Sequence, residues 1–344
     1  MHKRSSLESG RGALRALALA VATLAIGGVQ AAPGLGTDNI EAIKENKRVA
    51  IERFSIEFYT QLFGEGRSGK NTARMTATLE GIGDATRQAV TQQAYVDTVQ
   101  ALQKAGFEVV DAAQLAAQPL FQALDAKYGK PSPHVVDDEK MLEGGKQISH
   151  VVAPAGMRAY FQSGTARGDL QQRMENQNYA IGKQQGELAK ALGATLLDVH
   201  VLASFGTVSA TKNGALRIFA GLGAKAGIEA RPVLVAEETQ IQIVNSDGAR
   251  TFGASRRMGH SGAVYLKEPL VAGTNIFEMR DTMPEPERDK QTALNVLSGL
   301  LGGTSERAGT SVVTAASEEA YRSTYQALIR EAIDAMVGAL GNAH

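Results

Sequence analysis

Cysteine is absent from this 344-residue sequence. That excludes disulfides, and it excludes a lipid anchor attached through a thiol. Tryptophan is absent too, and aromatic residues make up only 5% of the chain. A sugar or ring-ligand site built on stacking is disfavoured accordingly. Neither sign of charge is in excess, with 36 basic and 36 acidic residues. Beyond residue 31 no apolar run approaches the roughly 20 residues that a membrane-spanning helix needs.

What is present begins with an export pattern. Lys3, Arg4, Arg11 and Arg15 form a basic start, and Ala16 to Ile26 is an apolar stretch too short to span a bilayer. Val29, Gln30 and Ala31 then place small residues where a signal peptidase reads. The expected signal peptide is 1–31, cleaved after Ala31, with the mature chain periplasmic or secreted. The first 31 residues hold four basic side chains and one acid, so the rest of this neutral sequence carries a net charge of −3. A nucleic-acid partner is therefore not expected, since such proteins carry a basic patch or stripe. About 300 residues bury a sizeable core without staples.

The stretch from Gly186 to Arg250 organises the rest. A helix ends at Leu192-Gly193, and a strand runs from Ala194 to Phe205. A glycine-rich segment follows from Asn213 to Gly227, then a long alternating strand from Arg231 to Val244, and a turn at Asp247-Gly248.

Earlier in the chain, Val49 to Phe58 reads as the first strand. Val49 and Ile51 are out of phase with Phe54, Ile56 and Phe58, so a bulge is expected near Glu52-Arg53. Met75, Ala77 and Leu79 alternate as a returning strand. Asp84 opens a helix that runs to Lys104, and Gly106 follows it. Phe107 to Val110 is a short strand. Asp111 caps a helix that Pro119 should break. Gly129 to Gln147 reads as loop, Ile148 to Val152 as a strand, and Asp169 to Leu192 as a helix. A strand at Thr251 to Arg257 and two helices, Gln291 to Leu301 and Ser317 to Leu340, complete the chain, with a polar segment at Gly302 to Thr310 between those helices.

The fold class is α/β: a mixed sheet with flanking helices, an antiparallel meander in the second half and a helical C-terminus. The expected division is a signal peptide at 1–31, an α/β domain at 32–280 and a C-terminal helical segment at 281–344.

Complete catalytic motifs are missing. Gly64 to Thr72 has the glycine and lysine spacing of a phosphate-binding loop, but Asn71 stands where a magnesium-holding hydroxyl belongs. It reads as a flexible loop between strands. Gly259-His260-Ser261-Gly262 lacks the second glycine of a nucleophile elbow, because Ala263 follows. His134 near Asp137 and Asp138 reads as a solvated acidic loop. Gly221 and Gly223 match the first two glycines of a dinucleotide fingerprint, but residue 226 is Ala226. No metal or cofactor is expected. Asp198 and His200 alternate along a strand and share a face. With His260 they are the candidate residues for a ligand cleft.

The order of these features resembles the CsgG-like family, the curli secretion and assembly type. The matching features are Leu192-Gly193-Ala194 leading into a strand, the segment Ala215 to Ala224, the strand from Val233 to Val244 and the turn Asp247-Gly248. The first half is similar to TolB-type N-terminal domains. The resemblance implies an exported, non-catalytic envelope protein that acts in assembly or secretion through protein contacts. It implies a homo-oligomer, with Gly214, Gly221, Gly223 and Gly227 as contact candidates. One departure is that no cysteine can carry a lipid, so any outer-membrane association would lack that anchor. Another is that Val201 to Val208 and Gly227 to Val235 lack the outward apolar alternation of a membrane hairpin. The competing expectations are a periplasmic small-ligand binder and an exported hydrolase built around Asp198, His200 and His260.

Overall fold

A computed structural model describes residues 33–69, 71–140, 145–160, 179–210, 224–248, 261–300 and 306–344. It is a mixed α/β structure around one large sheet. The strand β1 (Leu35–Asp38) leads through a 3₁₀ turn at Ile40–Glu45 into β2 (Arg48–Ser68), which returns as β3 (Asn71–Glu80). Next come α1 (Asp84–Lys104), β4 (Glu108–Val109), α2 (Ala112–Ala116) and α3 (Pro119–Tyr128). A hairpin of β5 (His134–Lys140) and β6 (Gly145–Val152) precedes α4 (Tyr179–Leu192) and β7 (Thr195–Ala210). The second half holds β8 (Ala226–Leu234), β9 (Gln240–Val244), β10 (Gly262–Leu266), β11 (Leu270–Val271) and β12 (Phe277–Asp281). The chain closes with α5 (Glu285–Leu300), β13 (Glu306–Ala315) and α6 (Glu318–Ala343).

The sheet is ordered β1-β10-β9-β7-β2-β3-β13-β12. At its centre β2 and β7 run parallel, with Arg53 beside Asp198 and Ser55 beside His200. Their register shifts between Ile51 and Arg53, so the bulge that the pattern demanded is there. It keeps both apolar sets of β2 useful. Phe54, Ile56 and Phe58 join Leu197, Val199 and Val201 in the main core, under α1 and α6. On the other face, Ala50, Leu196 and Val244 pack with Ile181 and Leu188 of α4.

Several local signals act as expected. The Asp111 side chain accepts from Ala113 N, and Pro119 sits in the first turn of α3. Ser317 caps α6 by accepting from Ala320 N. Gly193 and Gly106 take the left-handed backbone that ends a helix.

Other expectations are corrected. Gly64 to Thr72 is no loop: the β2–β3 ladder continues to Ser68 opposite Asn71, with Gly69 at positive φ in the turn. Gly129 to Gln147 contains strand β5 and the start of β6, not loop alone. The polar segment before α6 contributes β13, which pairs parallel with β3 from Glu306 to Thr314. Arg231 to Val244 is two strands. Both lie antiparallel along β7, interrupted at Val235–Thr239, where Glu237 adopts φ 61°. Val201 to Phe205 are buried, whereas Val208 is exposed. The strand expected at Thr251 to Arg257 and the start of the helix at Asp169 lie outside the described residues.

Candidate functional site

The face of β2 opposite Phe54 carries Arg53, Ser55 and Glu57. The same face of β7 carries Asp198 and His200, and β9 places Gln242 beside Asp198 and Gln240 beside His200. All seven are buried. A buried row of polar and ionisable groups in a sheet is costly unless its members satisfy one another.

The groups form two clusters. In the first, the bulge brings Glu52 onto the polar face beside Arg53. Gln185 reaches in from α4, on the same helical face as Ile181 and Leu188. Its amide nitrogen donates to Glu52 Oε2 at 2.6 Å and lies 3.3 Å from Asp198 Oδ2. Arg53 sits 3.6 Å from Glu52 and 3.8 Å from Asp198, and its guanidinium stacks 4.5 Å above the Tyr160 ring. Tyr160 donates in turn to Asp125 at 2.6 Å. Burial pushes the Glu52 carboxyl up to about 8; Arg53 opposes the rise and Asp198 adds to it. Burial raises Asp198 as well. Two carboxyls and one guanidinium thus share a buried site, and a retained proton relieves the repulsion between the carboxyls. Among the described residues, Arg53 Nε and Nη2 and Asp198 Oδ1 have no hydrogen-bond partner.

In the second cluster, His200 Nδ1 lies 2.8 Å from the Glu238 carbonyl oxygen, and Nε2 lies 3.5 Å from Glu57 Oε2. The carbonyl can only accept, so Nδ1 carries the proton. Ser149 donates to Glu57 Oε1 at 2.6 Å. The interruption between β8 and β9 creates this arrangement. It turns Glu238 O toward His200 and lets Thr239 Oγ1 accept from Leu202 N at 3.2 Å.

Asp198 and His200 share the expected face, but they serve different partners: Asp198 faces Arg53 and Gln185, and His200 faces Glu57 and Glu238. Ser149 bonds the carboxylate and not the imidazole, so the groups are not wired as a nucleophile–base–orienter relay. His260, Gly214, Gly221 and Gly223 lie outside the described residues. Gly227 is a ladder residue of β8, opposite Ser209.

Glu52, Arg53, Glu57 and Gln185 were not expected as site residues from the sequence, although Glu52-Arg53 marked the bulge. A signal for two of them was there: Arg53 and Glu57, with Ser55 between them, alternate with Phe54, Ile56 and Phe58, as Asp198 and His200 do on β7. Among the described residues, no cluster of three or more His, Asp or Glu is placed to hold a metal ion. Comparison with protein families, with curated proteins and with solved structures gives no match.

Proposed function

We propose that this is an exported, non-catalytic envelope protein of CsgG-like type, working in assembly or secretion through protein–protein contacts. The observation that carries the non-catalytic reading is the placement of His200. Both of its ring nitrogens face groups of the protein itself, and the imidazole is 1% exposed. A general base needs one nitrogen within reach of substrate. Export is supported by the N-terminal sequence pattern, and assembly by the resemblance in element order and by the edge strand β12, whose outer side no described strand covers.

The test is fractionation followed by intact-mass and size measurement on periplasmic material. The expected result is a chain starting at Ala32 that migrates as an oligomer. A chain that retains residues 1–31, or a strict monomer at tens of micromolar, would count against this reading.

One feature favours the small-ligand reading. A cavity of about 430 Å³ lies between α5 and β13, lined by Asp281, Arg288, Gln291, Asn295 and Arg307 among others. A polar metabolite that binds there should be lost on Arg307→Ala, read by calorimetry.

A further inference from the structure

The edge of the sheet at β12 and β13 is treated in two different ways. Strand β12 covers β13 only from Ser311 to Ala315. Thr282 N donates to Thr310 O and Ala316 N to Ile276 O, so the even-numbered residues of β13 point their backbone toward this side. Glu306 and Ala308 would therefore be left open. Helix α5 closes them with side chains. Asn295 accepts from Glu306 N at 3.1 Å and donates to Glu306 O at 2.9 Å. Gln291, with its amide turned to suit its neighbours, does the same at Ala308, at 2.6 and 3.2 Å. Four residues along a helix rise about 6 Å, close to the roughly 6.7 Å spanned by two strand residues. Two amides thus stand in for a neighbouring strand.

Strand β12 has no such cover among the described residues. The same pairing directs the backbone of Phe277, Met279 and Asp281 outward. Four of its five residues are exposed, and Met279 is 40% exposed. Phe277 turns its ring into the core against Phe205 and Tyr321. Glu278 and Arg280 share the opposite face, and neither makes an ion pair among the described residues.

The order Glu278-Met279-Arg280 is self-complementary in an antiparallel pair. Centred on Met279, a second copy places its Arg280 opposite Glu278 and its Glu278 opposite Arg280. Those are the non-hydrogen-bonded positions, where Cα atoms approach to about 4.5 Å and side chains meet most closely. Met279 then exchanges both backbone bonds with its symmetry mate, and each Asp281 N–H reaches the other chain's Phe277 carbonyl. The Phe277 N–H keeps its bond to the Asn275 side chain at 3.1 Å.

We infer that β12 is a homodimer interface, joining two copies of this chain edge to edge across a two-fold axis at Met279, with reciprocal Glu278–Arg280 pairs. This rests on the assembly reading above and replaces the glycine segment as the contact. Such an interface is isologous, so it closes at two subunits and does not propagate.

Sedimentation of the purified protein at tens of micromolar, in low salt, tests it. The protein should be a dimer. Arg280→Glu and Glu278→Arg alone should each weaken dimerisation at least tenfold, because each creates two like-charge contacts. An equimolar mixture of the two variants should restore it as a heterodimer, since one chain then carries two acids and the other two bases. Met279→Pro removes an outward N–H that β13 does not use, so the fold should persist by circular dichroism while the dimer is lost. Assembly left intact by Arg280→Glu and by Met279→Pro would overturn the inference while leaving the assembly reading standing. A wild-type monomer would defeat both.

Discussion

The Glu238 carbonyl oxygen accepts a hydrogen bond from His200 Nδ1 at 2.8 Å, across the interruption that divides β8 from β9. A straight strand would have spent that carbonyl on the ladder. The excursion at Val235–Thr239 frees it, and His200 is held with Nε2 aimed at Glu57.

His200→Ala should destabilise the protein by about 2–4 kcal/mol, because it leaves the buried Glu57 carboxylate and the Glu238 carbonyl each with one partner fewer. His200→Gln should recover part of this, since its amide can still donate. Urea denaturation read by circular dichroism measures both. An alanine variant within about 0.5 kcal/mol of wild type would show that the pair contributes little to the fold.

Stability should fall as pH rises through the range set by Glu52. Its carboxyl titrates at 4.5 ordinarily and near 8 when buried in the fold. Between those values the native state holds a proton that the unfolded chain has lost. The contribution is complete below about pH 4.5 and is lost by about pH 8, at up to ~1.4 kcal/mol per pH unit. The raised Asp198 adds the same sign. Glu52→Gln should flatten the slope in that window. A variant with the wild-type pH profile would mean that Glu52 is not the group responsible.

Gly186→Ala should destabilise the protein, although alanine is the better helix former. A Cβ on Gly186 of α4 would lie 2.8 Å from Gly248 N and 2.9 Å from Gly248 Cα. Backbone atoms cannot rotate away, so α4 would have to shift from the turn at Asp247-Gly248. The expected loss is about 1–3 kcal/mol in chemical denaturation. A gain in stability would show that the helix and the turn are not in close contact.

Glu237 is the non-glycine residue at φ 61° in the excursion. Glu237→Gly should be tolerated within about 1 kcal/mol, because glycine takes that backbone without steric cost. Glu237→Val should cost more, since a β-branched residue resists it. Thermal melts of the two variants should differ in that order, and the reverse order would contradict the backbone assignment.

Local periodicity and capping reach the sequence directly, so much of the architecture was legible. The phase break between Ile51 and Phe54 announced a bulge, Pro119 a helix break, and alternation put Asp198 and His200 on one face. These signals act between residues a few positions apart, where backbone geometry alone decides the outcome. Pairing across long separations left weaker marks. Glu306 to Thr310 looked polar and loop-like, and became a strand because β3 supplies a parallel edge 234 residues upstream in register. Arg231 to Val244 kept its alternation but was interrupted, because β7 leaves room for His200 to take a carbonyl there. Gln185 reads as one more polar residue of a helix until α4 is laid on the sheet between Glu52 and Asp198. The sequence determined which faces are apolar, because burial follows side-chain type. Only tertiary structure decided which buried polar groups meet, because that depends on the register between strands and helices brought together from distant parts of the chain.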